Sequence, residues 1–186
     1  VYLLTDGLTV GGNMSYTQSQ YDARYTFFNQ DDPRYPRKIL GGDLTQDPCD
    51  MEESIRALYC IEVDGLDLTG IPKWKATGWA SYKFNMDRGD VTVYGALAYT
   101  GEYSTNEFNR PWDWVPARER LDLRATYRAS SGAWQASVFI DNVLDKTYVR
   151  QSDLDSRLAG YGGNWANRVI ALTPRYAGIS FTYNYQ

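Results

Sequence analysis

The chain has 186 residues, 19 basic against 23 acidic for a net charge of -4, two cysteines, no histidine, and 16 tyrosines with 6 tryptophans. Without imidazole there is no Ser-His relay, no His-based zinc or haem site, and no ordinary charge switch near neutral pH. The acidic balance, with no dominant basic stripe, speaks against nucleic acid as a partner, and no apolar run approaches the roughly 20 residues of a membrane-spanning helix.

What recurs instead is alternation with period two, the mark of strands with one apolar face. Residues 1–4 read as the tail of a preceding strand, closed by the turn Thr5-Asp6-Gly7. Residues 8–16 place Leu8, Val10, Gly12, Met14 and Tyr16 on one face and Thr9, Gly11, Asn13 and Ser15 on the other. Residues 74–84 group Trp74, Ala76, Gly78, Ala80, Tyr82 and Phe84 against Lys75, Thr77, Ser81 and Lys83. Residues 91–103 carry Val91, Val93, Leu97, Tyr99 and Tyr103 on the apolar side. In 118–128, Leu121, Leu123, Ala125 and Tyr127 oppose Arg120, Asp122, Arg124, Thr126 and Arg128; in 134–140, Trp134, Ala136, Val138 and Ile140 oppose Gln135 and Ser137. The closing segment, 176–186, sets Ala177, Ile179, Phe181, Tyr183 and Tyr185 against Gly178, Ser180, Thr182 and Asn184.

Each apolar face is small or aliphatic in the middle and aromatic towards one or both ends, the girdle pattern of a bilayer-spanning barrel. Trp79, Tyr94 and Phe139 break it by pointing to the polar side. The connections are asymmetric: 85–90 and 129–132 are short and rich in turn formers, whereas 21–73, 104–117 and 144–175 are long. Short periplasmic turns and long extracellular loops are the habit of outer-membrane barrels. The expectation is an all-β, antiparallel transmembrane barrel segment of about six strands, incomplete as a barrel.

The loops hold few chemical motifs. Cys49 and Cys60 read either as two free thiols or as a disulfide, the better reading in an oxidising compartment. Between them Asp50 has the position of a helix N-cap, with Glu53, Ile55 and Leu58 at helical spacing. Asp31, Asp32, Asp43, Asp47, Asp64 and Asp67 make the first long loop acidic, a solvated face before a cation site. Trp112 and Trp114 could stack on a ligand or anchor the outer aromatic belt. Lys75, Lys83, Arg118, Arg120, Arg124 and Arg128 fall on the lumen side, where they either attract anionic ligands or pair with carboxylates such as Asp122. No carboxylate pair suggests catalysis, no cofactor is expected, and residues 160–164 lack the lysine and strand-to-helix context of a phosphate loop.

Three stretches carry a resemblance: L-D-L-R-A-T-Y (121–127), W-Q-A-S-V-F-I-D-N-V-L-D-K-T-Y (134–148) and P-R-Y-A-G-I-S-F-T-Y-N-Y (174–185). In order and content they look like the C-terminal end of a TonB-dependent outer-membrane receptor, with the segment at 141–146 and the closing strand the most specific parts. L-T-V-G-G-N-M-S-Y and L-D-L-T-G-I-P-K-W-K-A-T-G-W-A-S-Y are similar to preceding strands of that family. The resemblance implies a barrel of roughly 22 strands around a plug, of which residues 1–186 are the C-terminal portion and the plug is absent. It implies no enzyme but uptake of a scarce nutrient, foremost a ferric siderophore, across the bacterial outer membrane. The implied partners are outer-membrane lipid, the TonB-ExbB-ExbD complex (through the missing N-terminal part) and the barrel assembly machinery. That machinery would read the terminal strand with Phe181, Tyr183 and Tyr185; the family commonly ends on an aromatic, whereas here Gln186 follows Tyr185. The rival readings are a soluble secreted carbohydrate-binding β-sandwich and a passive barrel without a plug.

Overall fold

The structure, a computed structural model, describes residues 2–5, 7–22, 26–28, 49, 53, 60–147, 149–155 and 166–185. In chain order its strands are β1 (Tyr2–Thr5), β2 (Leu8–Tyr16), β3 (Thr26–Phe28), β4 (Cys60–Glu62), β5 (Trp74–Met86) and β6 (Gly89–Thr100). There follow β7 (Tyr103–Ser104), β8 (Trp114–Val115), β9 (Arg118–Ala129), β10 (Trp134–Asp141), β11 (Val149–Asp155), β12 (Ala166–Ala171) and β13 (Tyr176–Tyr183). Seven form one antiparallel meander in the order β1-β2-β5-β6-β9-β10-β13, and β13 does not return to pair with β1. The six segments read from periodicity are six of these strands, and Tyr2–Thr5 is the seventh. The sheet is an open segment of a barrel wall.

Register makes the apolar face continuous. Tyr16 faces Trp74, Val10 faces Ala80, and Leu8 faces Tyr82. The row then runs on through Tyr82–Val93, Val93–Ala125, Ala125–Val138 and Val138–Ile179. A slip of one residue in any pair would turn that strand's apolar set to the polar side. Aromatics close the face at the short-turn rim, with ring centroids 4.5 Å apart for Tyr82–Phe84, 5.1 Å for Tyr127–Trp134 and 5.8 Å for Trp134–Phe181. At the long-loop rim Tyr16 and Trp74 meet at 4.7 Å. Ten residue steps from Trp74 to Phe84 give about 33 Å along the strand, or about 25 Å along a normal from which it tilts by about 40°. That is the height of an outer-membrane barrel's apolar band.

The three aromatics on the polar face have a local reason. Trp79 lies opposite Gly11, and Phe139 lies opposite Gly178. A Cβ on Gly11 would come 2.6 Å from the Trp79 ring, and one on Gly178 2.5 Å from the Phe139 ring. Each ring therefore covers backbone that a glycine leaves bare, the cross-strand aromatic cover of a glycine. Tyr94 joins Trp79 at 6.1 Å.

Two expectations need correction. The strand drawn over 91–103 ends at Thr100: Gly101 N donates to the Trp74 carbonyl at 2.8 Å, and Tyr103 leaves the sheet for β7. Tyr103 is thus 9% exposed in a loop layer and takes no place on the apolar face. Among the described residues the long loops also hold three two-stranded antiparallel pairs, β3-β4, β7-β8 and β11-β12. The helical turn proposed for residues 50–58 lies outside the described residues, apart from Glu53.

Candidate functional site

The loop-side rim of the polar face is where chemistry collects. Lys75 of β5 pairs with Thr100 of β6, which pairs with Arg118 of β9, so one rung sets two cations either side of a hydroxyl. Above the rung sits a cap built from residues 63–73 and 101–115. Its hairpin turns at Arg110-Pro111-Trp112-Asp113, with the Asp113 N–H donating to the Arg110 carbonyl at 2.9 Å and proline in the second position, as type I turns favour. Asp113, fully buried, receives the Arg110 side chain in a fork, Nε to Oδ2 at 2.8 Å and Nη2 to Oδ1 at 3.2 Å. The guanidinium lies 5.2 Å from the Phe108 ring centroid and 5.3 Å from that of Trp112.

The two segments of the cap are joined to each other. Gly70 N donates to the Ser104 carbonyl at 2.8 Å, and Asn109 Nδ2 to the Asp67 carbonyl at 2.9 Å. The Lys73 ammonium reaches the Asp67 carboxylate at 2.9 Å, and that hydrogen bond holds its pKa above the ordinary lysine value. Between cap and rung opens a cleft of 410 Å³ lined by Thr69, Lys75, Thr100, Tyr103, Thr105 and Arg118 among others. Arg118 Nη1 donates to the Tyr103 hydroxyl at 3.4 Å. Two cations, three threonine hydroxyls and a phenol in one concavity suit an anionic, oxygen-rich guest.

The remaining sequence candidates are spread over the wall. Arg120 Nε holds both Asp122 oxygens at 2.8 and 3.0 Å, and its Nη2 lies 3.6 Å from Asp141. Lys83 is 3.6 Å from Asp90. Arg124 lies 5.3 Å over the Phe139 ring. Trp112 packs on Arg110, and the Trp114 indole N–H donates to the Asn109 carbonyl at 3.1 Å, so both tryptophans are built into the cap. Cys49 and Cys60 are bonded to each other with Cα atoms 5.7 Å apart, pinning the start of β4. Phe181, Tyr183 and Tyr185 are 67, 62 and 92% exposed at the sheet's edge. Sequence reading passed over Arg110, Asp113, Thr69 and Thr105. The proline turn was a usable signal for the first two, whereas nothing local marked the threonines.

The D-N-V-L-D-K segment gains a mechanism. Asn142 and Asp145 adopt φ of 53° and 52°, a left-handed backbone that Asn and Asp tolerate better than most residues. Asn142 N donates to Asp122 at 2.9 Å and its Nδ2 to the Lys146 carbonyl at 3.0 Å, while Val143 N donates to the Leu121 carbonyl at 2.8 Å. The turn after β10 is thereby folded back onto β9.

Neither a protein-family model nor a curated protein matches the sequence. Solved structures do. The siderophore receptor PiuA from Acinetobacter baumannii aligns over 96% of this chain and 19% of its own, at 17% identity and a TM-score of 0.62. The ferric yersiniabactin uptake receptor FyuA from Yersinia pestis aligns over 64% of this chain and 17% of its own, at 17% identity and a TM-score of 0.55. The chain shares their fold. It spans about a fifth of the length of either receptor.

Proposed function

We propose that this chain is part of the barrel wall, in its C-terminal portion, of a bacterial outer-membrane receptor that imports a scarce nutrient, foremost a ferric siderophore. Energy would come from the TonB-ExbB-ExbD complex, gripping a part of the protein outside this chain. The observation that carries the reading is the single apolar face, in register across six strands and ending in aromatic rings at both rims. A soluble sandwich would seal that face beneath a second layer; among the described residues Ile179 and Met14 instead stand 84 and 70% exposed. In a bilayer the apolar face meets acyl chains, the polar face borders water, the short turns are periplasmic and the long loops extracellular.

The chemistry is capture without covalent steps. Lys75 and Arg118 concentrate an anionic chelate at the loop-side mouth by their field. The hydroxyls of Thr69 and Thr100 donate to its oxygens as water leaves, while Thr105 Oγ1 donates to the Asp113 carbonyl at 2.8 Å and, with the buried Arg110–Asp113 pair, keeps the cleft's wall in place. Arg120 and Lys83 are engaged by carboxylates. The exposed aromatic edge of Phe181, Tyr183 and Tyr185 serves as the insertion signal.

Deleting the full-length gene and offering ferric hydroxamate, catecholate and carboxylate chelates as sole iron source tests the reading. Growth on one class should fail, and restoring the gene in a strain without TonB should not rescue it. Rescue without TonB would favour a passive barrel, and unchanged growth on every chelate would remove the siderophore assignment.

A further inference from the structure

The apolar face is not uniform. Between β6, β9, β10 and β13 it carries a hollow of 630 Å³ lined chiefly by Val93, Leu123, Ala125, Val138, Ala177 and Ile179. Register explains it. Ala125 lies opposite Val138, which lies opposite Ile179, and Ala177 lies opposite Ile140, so two short side chains sit diagonally among long ones. The volume falls in the range of about 300–1,000 Å³ that small-molecule sites occupy.

The rim above this hollow differs from its neighbour. On β2, β5 and β6 the loop-side edge of the apolar face is aromatic, with Tyr16, Trp74 and Tyr99. On β9 the same face ends in Glu119, and Arg175 immediately precedes β13. Lys146 Nζ lies 3.3 Å from Glu119, and Arg175 Nη2 lies 3.1 Å from Asp145, all four side chains about half exposed. From Ala177 to Arg175 is two residues, about 7 Å of strand, and from Leu123 to Glu119 four residues, about 13 Å. Exposed ion pairs of this kind contribute little to stability, so either cation can exchange its carboxylate for another anion at small cost.

Resting on the outer-membrane reading, we infer that the hollow seats one acyl chain of a phosphate-bearing lipid of the loop-side leaflet, whose phosphate meets Lys146 and Arg175. Charge selects the occupant: an uncharged lipid would fill the hollow but leave the ionic rim unused. Glu119 and Asp145, next to those cations, suit an amine or a divalent cation carried with the headgroup.

The test is to extract the full-length protein from outer membranes in mild detergent and count retained lipid by native mass spectrometry and phosphorus assay. Wild type should keep one phosphate-bearing lipid per chain. Ala125→Leu with Ala177→Leu fills the hollow at lipid-facing positions and should lower occupancy at least tenfold. Lys146→Glu with Arg175→Glu should do the same, while Arg88→Glu at the opposite rim leaves it unchanged. Wild type without bound lipid, or equal retention in the filled variant, overturns the inference. A protein that leaves the membrane fraction without detergent instead overturns the outer-membrane reading on which it stands.

Discussion

In the sheet, Ile179, Met14 and Phe181 are 84, 70 and 67% exposed; in the cap of residues 63–73 and 101–115, Val63, Val115 and Asp113 are fully enclosed. The sheet is one layer thick, held by ladder hydrogen bonds and cross-strand pairs such as Trp134–Phe181 and Thr126–Ser137, whose hydroxyls are 2.9 Å apart. The cap carries its own small core and a buried ion pair. A layer that exposes this much apolar surface is built for a solvent that is not water, whereas the cap is built for water. The boundary between the two regions is the rung Lys75–Thr100–Arg118, and the candidate cleft lies on it.

The largest effect expected is on the cap alone. Asp113→Ala strands the buried Arg110 charge and should cost about 3–5 kcal/mol. Hydrogen exchange in the full-length protein should show amides 101–115 losing protection while those of β9 and β10 keep theirs. Next comes the sheet: Val138→Arg places a charge at mid-height on the apolar face and should cost about 2–4 kcal/mol in denaturant unfolding from liposomes. Gln135→Arg, on the opposite face of the same strand, should stay within about 0.5 kcal/mol. At the boundary, Lys75→Ala with Arg118→Ala should weaken binding of an anionic ferric chelate about tenfold, roughly 1.4 kcal/mol. Titration of that chelate at low and high salt should find the loss shrinking as salt screens the cleft.

The smallest effect concerns the exposed clip that fastens the cap. Asp67→Asn removes the partner of Lys73 and should cost about 0.2–1 kcal/mol. Because the folded-state pKa of Lys73 is raised, the clip's contribution is complete below the lysine value of 10.5 and fades as pH climbs through the higher folded value. A pH series of cap hydrogen exchange, wild type against Asp67→Asn, should therefore converge only in strong alkali.

The sheet was legible because its six long strands alternate over many residues, and the register observed pairs apolar with apolar except at the loop-side rim, where Glu119 faces Tyr99. Trp79 and Phe139 broke the pattern for a reason that needs the neighbouring strand, since Gly11 and Gly178 lie opposite them only once the register is known. The short strands in the loops escaped because β7 and β8 are two residues each, too short to show a period, and β11 reads V-R-Q-S-D-L-D without an apolar face. Tyr103 continued the alternation of β6 and so looked like its last member; the turn at Gly101 redirected it to the cleft. The cleft itself joins Thr69 and Thr105 to Lys75 and Arg118 across four segments of chain, a juxtaposition no local pattern encodes.

The orientation of the sheet is the claim on which function rests, and site-directed spin labelling along β13 in liposomes addresses it directly. Labels at residues 177, 179, 181 and 183 of the full-length protein should collide with dissolved oxygen and be shielded from a water-soluble nickel chelate. Labels at 180 and 182 should show the reverse. Opposite phase, or a strand whose apolar positions are reached by neither reagent, would contradict the account.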